Sequence, residues 1–238
     1  MKAFLLAAGE GTRLRPITND IPKCLVPIQG QPLLGIWLDL CLRTGIDEVL
    51  VNVHAHAGAV RRYVSQLAGG ARVHLYEEEK LLGSAGTIAA NRSWVEEEAQ
   101  FWIFYADVLT NMDLRKMLEF HQESPTAATL GVYEVANPSQ CGIIETDDRH
   151  VIRNFIEKPE NPASSLAFSG VMIGTPELLR ALPSSSFSDL GFDVFPRLIG
   201  RMRAYLSSEF LMDIGNLENY GLAQETWPGL SQVVGPPL

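Results

Sequence analysis

The stretch from Gly9 to Lys23, GEGTRLRPITNDIPK, sets two glycines, Arg13, Arg15 and Lys23 directly behind an apolar run. Gly9 and Gly11 allow a sharp bend and a close approach of bare backbone to a ligand. Successive amide N–H groups in such a loop form a concavity that attracts anions. Arg13 can fork two donors onto phosphate oxygens, and Lys23 adds a compact charge. The combination suits a polyphosphate. A Walker loop is excluded, because no G-x-x-x-x-G-K-[ST] string occurs. A dinucleotide fingerprint is broken by Leu14 at its last glycine, and Pro16 interrupts the helix that should follow. The plain alternative is a glycine-rich turn with solvated arginines.

These residues need elements to position them. Residues 3–8 read as a buried strand, apolar throughout and without helical period. Residues 32–44 read as a helix, with Pro32 near its start and Gly45 at its end. Strands are expected at 48–54, 71–76 and 101–107. Helices are expected at 57–68, stopped by Gly69 and Gly70, at 84–92, and at 113–122 with Asp113 in its first turn. The alternation predicts an α/β fold, a mixed and mostly parallel sheet with helices on both faces. Beyond about residue 125, strands at 127–135, 142–146, 151–156 and 168–174 follow with few helices between them. They read as a strand-rich cap on the same sheet.

In such sheets ligands bind outside the carboxyl ends of the strands. That rule selects Gly9–Arg15, Glu77–Gly86 and Asp107. Asp107 ends one apolar run and Asp213 ends another, FLMD. Two carboxylates match what Mg²⁺ takes beside phosphate oxygens and water. Asp213 can equally be read as a helix N-cap. His54 and His56 form H-x-H with no third ligand evident, and read as structural or solvent-facing. Phe101, Trp102, Phe104 and Tyr105 fit core packing.

The chain has 238 residues, 46% of them hydrophobic, enough for one domain over 1–228 with a non-periodic, mobile tail at 229–238. The net charge of −9, without a basic run, leaves out the footprint of a nucleic-acid binder. Cys24, Cys41 and Cys141 are far apart and odd in number, which fits reduced thiols. No apolar stretch is long enough to cross a bilayer, and the start lacks a signal-peptide pattern. The expectation is a cytoplasmic protein with neither a membrane nor a nucleic acid as partner.

The segments LAAGEGTRLRPIT and PKCLVPI resemble the signature loop of the sugar-1-phosphate nucleotidyltransferases, or nucleotide-sugar pyrophosphorylases. The resemblance continues through LLGSAGTIA, YADVL, FIEKP, FSGV, FDVFPRL and MDIGNLENY, in the family's order over nearly the whole chain. It is strongest towards the mannose-1-phosphate and heptose-1-phosphate guanylyltransferases. The resemblance implies a Rossmann-like nucleotidyltransferase fold, Mg²⁺ as cofactor, and an NTP and a sugar 1-phosphate as substrates. Oligomeric state stays open between a monomer and a homo-oligomer.

The same resemblance distributes roles. Arg13, Lys23 and Asp107 are the candidate catalytic residues, with Lys23 near the α-phosphate; Asp107 and Asp213 are the candidate metal ligands. Leu6, Ala8, Gly9, Gly11, Thr12, Arg13, Glu78 and Gly83 would line the nucleotide. A carboxylate at Glu78 can accept guanine's N1–H and N2–H together, which favours GTP, although the register within Glu77–Glu79 is open. Glu157, Lys158, Ser169, Gly170 and Asp193 would hold the sugar phosphate. Glu157–Lys158 also reads as a surface ion pair, and Asp193 as a helix cap. Two departures stand out: Phe168 where many relatives carry asparagine, and Tyr105–Ala106 where a small residue or glycine is common. A uridylyltransferase for an amino-sugar 1-phosphate and a non-catalytic nucleotide-sugar-binding regulator are the competing readings.

Overall fold

The computed structural model describes residues 1–67, 69–184 and 187–230. Its strands are β1 (Lys2–Leu6), β2 (Pro27–Ile28), β3 (Gln31–Pro32), β4 (Glu48–Val53), β5 (Arg72–Glu77), β6 (Phe101–Tyr105), β7 (Val108–Thr110), β8 (Ala128–Glu134), β9 (Gly142–Thr146), β10 (Ile152–Glu157), β11 (Leu166–Gly174), β12 (Met202–Leu206) and β13 (Leu211–Asp213). Its helices are α1 (Leu33–Arg43), α2 (Ala57–Ser65), α3 (Gly83–Ala90), α4 (Leu114–Glu123), α5 (Pro176–Ala181) and α6 (Leu217–Thr226). Parallel and antiparallel pairings together make the mixed α/β sheet that the alternation predicts. The chain divides into two compact units. Unit 1 takes Met1–Leu81, Phe104–Met112 and the chain from Glu209; unit 2 takes Leu82–Ile103 and Asp113–Ser208.

Unit 1 is built on parallel pairing. β1 runs beside β4 from Lys2↔Glu48 to Leu6↔Asn52, and β4 runs beside β5 from Glu48↔Arg72 to Val53↔Glu77. Parallel register brings the carboxyl ends of all three strands to one edge. β1 ends at Leu6, two residues short of the expected strand. The reason is Asn52, whose Oδ1 accepts the Ala7 N–H at 2.6 Å. α1 stops where the sequence places its stop. Gly45 has φ +74°, its N–H donates to Leu42 O, and Ile46 N–H donates to Cys41 O, the paired closure of a glycine-terminated helix. The aromatic cluster packs as core: Trp37 stacks on Phe104 at 4.8 Å between ring centroids, and its Nε1–H donates to Val108 O at 2.8 Å. Burying each such ring contributes about 2–3 kcal/mol.

β7 and β13 pair antiparallel and place Asp213 opposite Val108. Asp213 is thus a strand residue. The helix that follows is capped by Asn216, whose side chain accepts from Asn219 N–H at 2.8 Å. The N-cap alternative for Asp213 gives way on that geometry.

In unit 2, β8 lies between β11, antiparallel, and β12, parallel. β9 pairs with β10 and touches β11 at Ala167↔Ile143. α4 starts at Asp113, which accepts from Arg115 N–H and Lys116 N–H. Its buried residues Leu114, Met117, Leu118 and His121 follow helical spacing. His121 Nδ1 lies 2.8 Å from Thr129 Oγ1 on β8. Burial, helped by nearby Arg203, pushes the His121 pKa down, so the ring is favoured in its neutral form. The expected tail begins within the described chain at Gly229, and residues 231–238 lie outside it.

Candidate active site

In unit 1 the expected phosphate-handling side chains gather at the carboxyl edge of the sheet. Lys23 sits in a single 3₁₀ turn, Lys23–Leu25, entered through Pro22. Its ammonium contacts Asp107 Oδ2 at 2.9 Å, with the lysine 9% and the aspartate 39% exposed. Asp107 lies in the break between β6 and β7, fixed on both sides: Ala106 N–H donates to Leu6 O, and Ile214 N–H donates to Asp107 O. The second of these bonds brings the β13 end, and so Asp213, beside Asp107. Gly215 marks how close Arg13 comes. A β-carbon there would strike Asp213 Oδ1 and would lie 3.0 Å from Arg13 Nη2. Arg13, Lys23, Asp107 and Asp213 therefore converge.

The loop supports this gathering. Gly11 has φ +63°, and a β-carbon on it would lie 3.1 Å from both Lys23 Cβ and Thr18 Cγ2. Thr18 Oγ1 donates to Gly11 O at 2.7 Å. Gly9 is exposed with open space where a β-carbon would be, and Thr12 is exposed at the start of the next turn. Ala8 is buried and Leu6 partly so. Arg15 is exposed. It lines a cavity of about 460 Å³ together with Glu10, His54 and His56.

Glu78 is 3% exposed. Its Oε1 accepts from Asn52 Nδ2 at 2.8 Å, its N–H donates to Val53 O, and its carbonyl accepts from His54 Nδ1 at 2.7 Å. Asn52 thereby fixes both Ala7 and Glu78, since its amide spends one end on each. Among the described residues no group of three or more His, Cys, Asp or Glu forms a metal cage. Asp107 and Asp213, joined through the Ile214–Asp107 backbone bond, are two carboxylates, a donor set that suits Mg²⁺ when phosphate and water complete its shell.

In unit 2, Glu157 ends β10 and Lys158 follows with φ +50°. Lys158 N–H donates to Cys141 O, and its ammonium lies 4.0 Å from Glu157 Oε1. Glu157 Oε2 is seated between two glycines. A β-carbon on Gly142 would lie 2.7 Å from that oxygen, and one on Gly191 would lie 3.0 Å from it. Burial pushes the Glu157 pKa up, Lys158 opposes this, and the negative charge of Asp189 adds to it. Ser169 is buried, and its Oγ accepts from Val171 N–H at 3.2 Å. Gly170, φ +75°, falls where the β8–β11 register shifts. Phe168 packs edge-on to Phe195 at 5.4 Å, so this position is filled by an aromatic contact. Asp193 Oδ2 accepts from Asp189 N–H at 2.8 Å, which is the capping use. Gly83 opens α3 against the backbone of Ser188.

The sequence profile of the nucleotidyl transferase family matches residues 2–227. The chain belongs to that family. It is 32% identical to a protein of Synechocystis named UTP--glucose-1-phosphate uridylyltransferase, over 92% of this chain and 61% of that protein. It is 30% identical to the mannose-1-phosphate guanylyltransferase catalytic subunit beta of Danio rerio, over 92% of this chain and 62% of that one. The chain thus spans about three-fifths of the length of these curated relatives. Among solved structures, HddC of Yersinia pseudotuberculosis complexed with GMP-PN superposes with TM-score 0.80 at 22% identity, covering 95% of this chain and 99% of that one. UDP-glucose pyrophosphorylase of Acinetobacter baumanii superposes with TM-score 0.81 at 20% identity, covering 94% and 91%. These superpositions establish the Rossmann-like nucleotidyltransferase fold.

Four contributors escaped the reading of the sequence: Asn52, Thr18, Asp189 and the Gly142–Gly191 seat. Asn52 carried a signal, as the single polar residue inside the apolar run VLVNV. The seat carried none, because it joins a strand residue and a turn residue distant in sequence.

Proposed function

We propose that the chain transfers a nucleotidyl group from an NTP, with GTP favoured, to a sugar 1-phosphate of the mannose or heptose type, releasing pyrophosphate and an NDP-sugar. The observation that carries this reading is the convergence of Arg13, Lys23, Asp107 and Asp213 beside the Gly9–Gly11 loop. An oxygen of the sugar phosphate attacks the α-phosphorus, the α–β phosphoanhydride bond breaks, and its electron pair leaves with pyrophosphate. The nucleophile is already an anion at neutral pH, so no general base is required. What the protein supplies is in-line positioning and neutralisation of charge.

Arg13 suits the β- and γ-phosphates, because its planar fork matches phosphate oxygens. Lys23 suits the α-phosphate, where charge builds up. Asp107 and Asp213 would hold Mg²⁺, which when bound screens phosphate charge. On the base side, the backbone of Leu6, Ala8, Gly9, Gly11, Thr12 and Gly83 would line the nucleotide. Glu78, oriented by Asn52, would accept two N–H groups of guanine. Glu157 and Lys158, with Ser169, Gly170 and Asp193 around them, would take the sugar hydroxyls and phosphate. Relatives named for mannose-1-phosphate guanylyl transfer support this pairing. A uridylyltransferase is the second reading, favoured by the Synechocystis relative. We place the activity in the cytoplasm, in keeping with three free thiols and with no described helix long and apolar enough to cross a membrane. Its partners in this reading are the two substrates, without nucleic acid or membrane, and a homo-oligomer is compatible with it.

A matrix of four NTPs against several sugar 1-phosphates, with and without Mg²⁺, tests the proposal through pyrophosphate release and product mass. GTP with mannose 1-phosphate or a heptose 1-phosphate is expected to give the highest rate. Silence across the whole matrix would favour a binding protein without turnover.

A further inference from the structure

Two turns of unit 2 are fastened to each other by side chains that have no role in the assignments above. Asp189 Oδ1 accepts from Gly191 N–H at 2.8 Å and Phe192 N–H at 3.2 Å. Asp189 Oδ2 accepts from Ser84 Oγ at 2.7 Å. Ser84 Oγ in turn accepts from Leu190 N–H at 2.8 Å. The backbone repeats the link one residue earlier: Ser188 O accepts from Ala85 N–H and Gly86 N–H, and Ser188 N–H donates to Leu82 O. The first turn of α3 is thereby locked to residues 188–192. Those residues lead into a π-type turn, Leu190–Val194, a rare geometry that recurs at functional sites.

The locked segment also bears on Glu157. A β-carbon on Gly191 would lie 3.0 Å from Glu157 Oε2 and 3.2 Å from Asp189 Oδ1. Asp189 thus stands between the turn at Gly83–Gly86 and the Glu157 carboxylate. Three donors from the protein itself occupy its oxygens. That occupancy suits it to orient neighbours and not to contact a substrate.

We propose that Asp189, through Ser84, is a positioning residue that couples nucleotide binding at the Gly83–Gly86 turn to sugar 1-phosphate binding at Glu157. The inference rests on the reading of those two places under Proposed function. Coupling of this kind is reciprocal: each substrate sharpens the site for the other. A purely structural clamp would instead change stability and the fraction of active protein, leaving the two Michaelis constants independent.

The test uses the full chain with Ser84→Ala, Asp189→Asn and the double variant. The substrates are GTP with mannose 1-phosphate, and UTP with glucose 1-phosphate as a second arm. KM for each substrate is measured at several fixed concentrations of the other. In the unaltered protein, KM for the sugar 1-phosphate is expected to fall as the nucleotide saturates. Either single variant is expected to abolish that interdependence and to raise KM for the sugar 1-phosphate about tenfold, with kcat within about twofold. The double variant should match the single ones, because one link is cut once. If Asp189→Asn does not fold, Ser84→Ala, which removes one hydroxyl, decides alone. Interdependence that survives the variants, or is absent from the unaltered protein, overturns the coupling. So does a variant that loses melting temperature or kcat alone. An unaltered protein silent with every NTP and sugar 1-phosphate pair of the matrix sinks the functional reading itself, whereas active protein with unaffected variants sinks only the coupling.

Discussion

Lys23 and Asp107 hold each other at 2.9 Å, yet removing each has a different consequence. Lys23→Ala takes away the cation proposed for the α-phosphate and leaves Asp107 without its partner at 2.9 Å. Asp107→Asn keeps the shape but removes half of the proposed metal carboxylates. Each is expected to lower pyrophosphate release by about 10²–10³-fold, the scale of one lost charge contact in a transition state, while circular dichroism stays unchanged. Full rates in either variant would contradict these roles. Glu157 brings a pH signature. Burial and Asp189 push its pKa up, so its ionised form, the one proposed to accept sugar hydroxyls, fills at a higher pH than for an ordinary carboxylate. kcat/KM for the sugar 1-phosphate should therefore rise with pH through that raised value, and Glu157→Gln should flatten the rise. Folding stability runs the other way. The contribution of protonated Glu157 is present below its unfolded pKa and is lost as pH climbs through the folded one.

At the scale of elements, the loop between β1 and the Lys23 turn concentrates the constraint. Gly11 needs the left-handed backbone, and a side chain there would press on Lys23 and Thr18. Gly11→Ala is expected to cost about 1–2 kcal/mol for the conformation alone, read from urea denaturation, and to lower activity by displacing Lys23. Much of this layer was legible in the sequence, because buried parallel strands are continuous apolar runs: β1, β4 and β6 stand out for that reason. Charges placed just beyond such runs, as at Arg13, Lys23 and Asp107, were legible in the same way. β13 was not, since LMD is too short to show a period and exists as a strand only through its pairing with β7. α5, α6 and β12 were missed because mixed composition masks their faces. The Asp189 network was hidden by its chemistry: aspartate and serine near turns read as caps, and here they serve as caps and as a bolt between two turns.

Across the whole molecule, the thiols report how much of the chain is sealed from water. Cys24 and Cys41 are buried, with burial pushing the Cys24 thiol up to about 12 and that of Cys41 higher still, whereas Cys141 is partly exposed. A disulfide reagent at neutral pH is expected to titrate one fast thiol per native chain and all three after denaturation. Rapid reaction of all three in the native state would contradict the packing around β2 and α1.

Unit 1 is assembled from three separate pieces of chain, the last beginning at Glu209. A ribosome delivers the first of them early and the last only after all of unit 2 has emerged. Arg13 and Lys23 must wait for β13 to thread back and set Asp213 next to Asp107. The newborn protein can thus complete its second-born body while the first is still missing a strand.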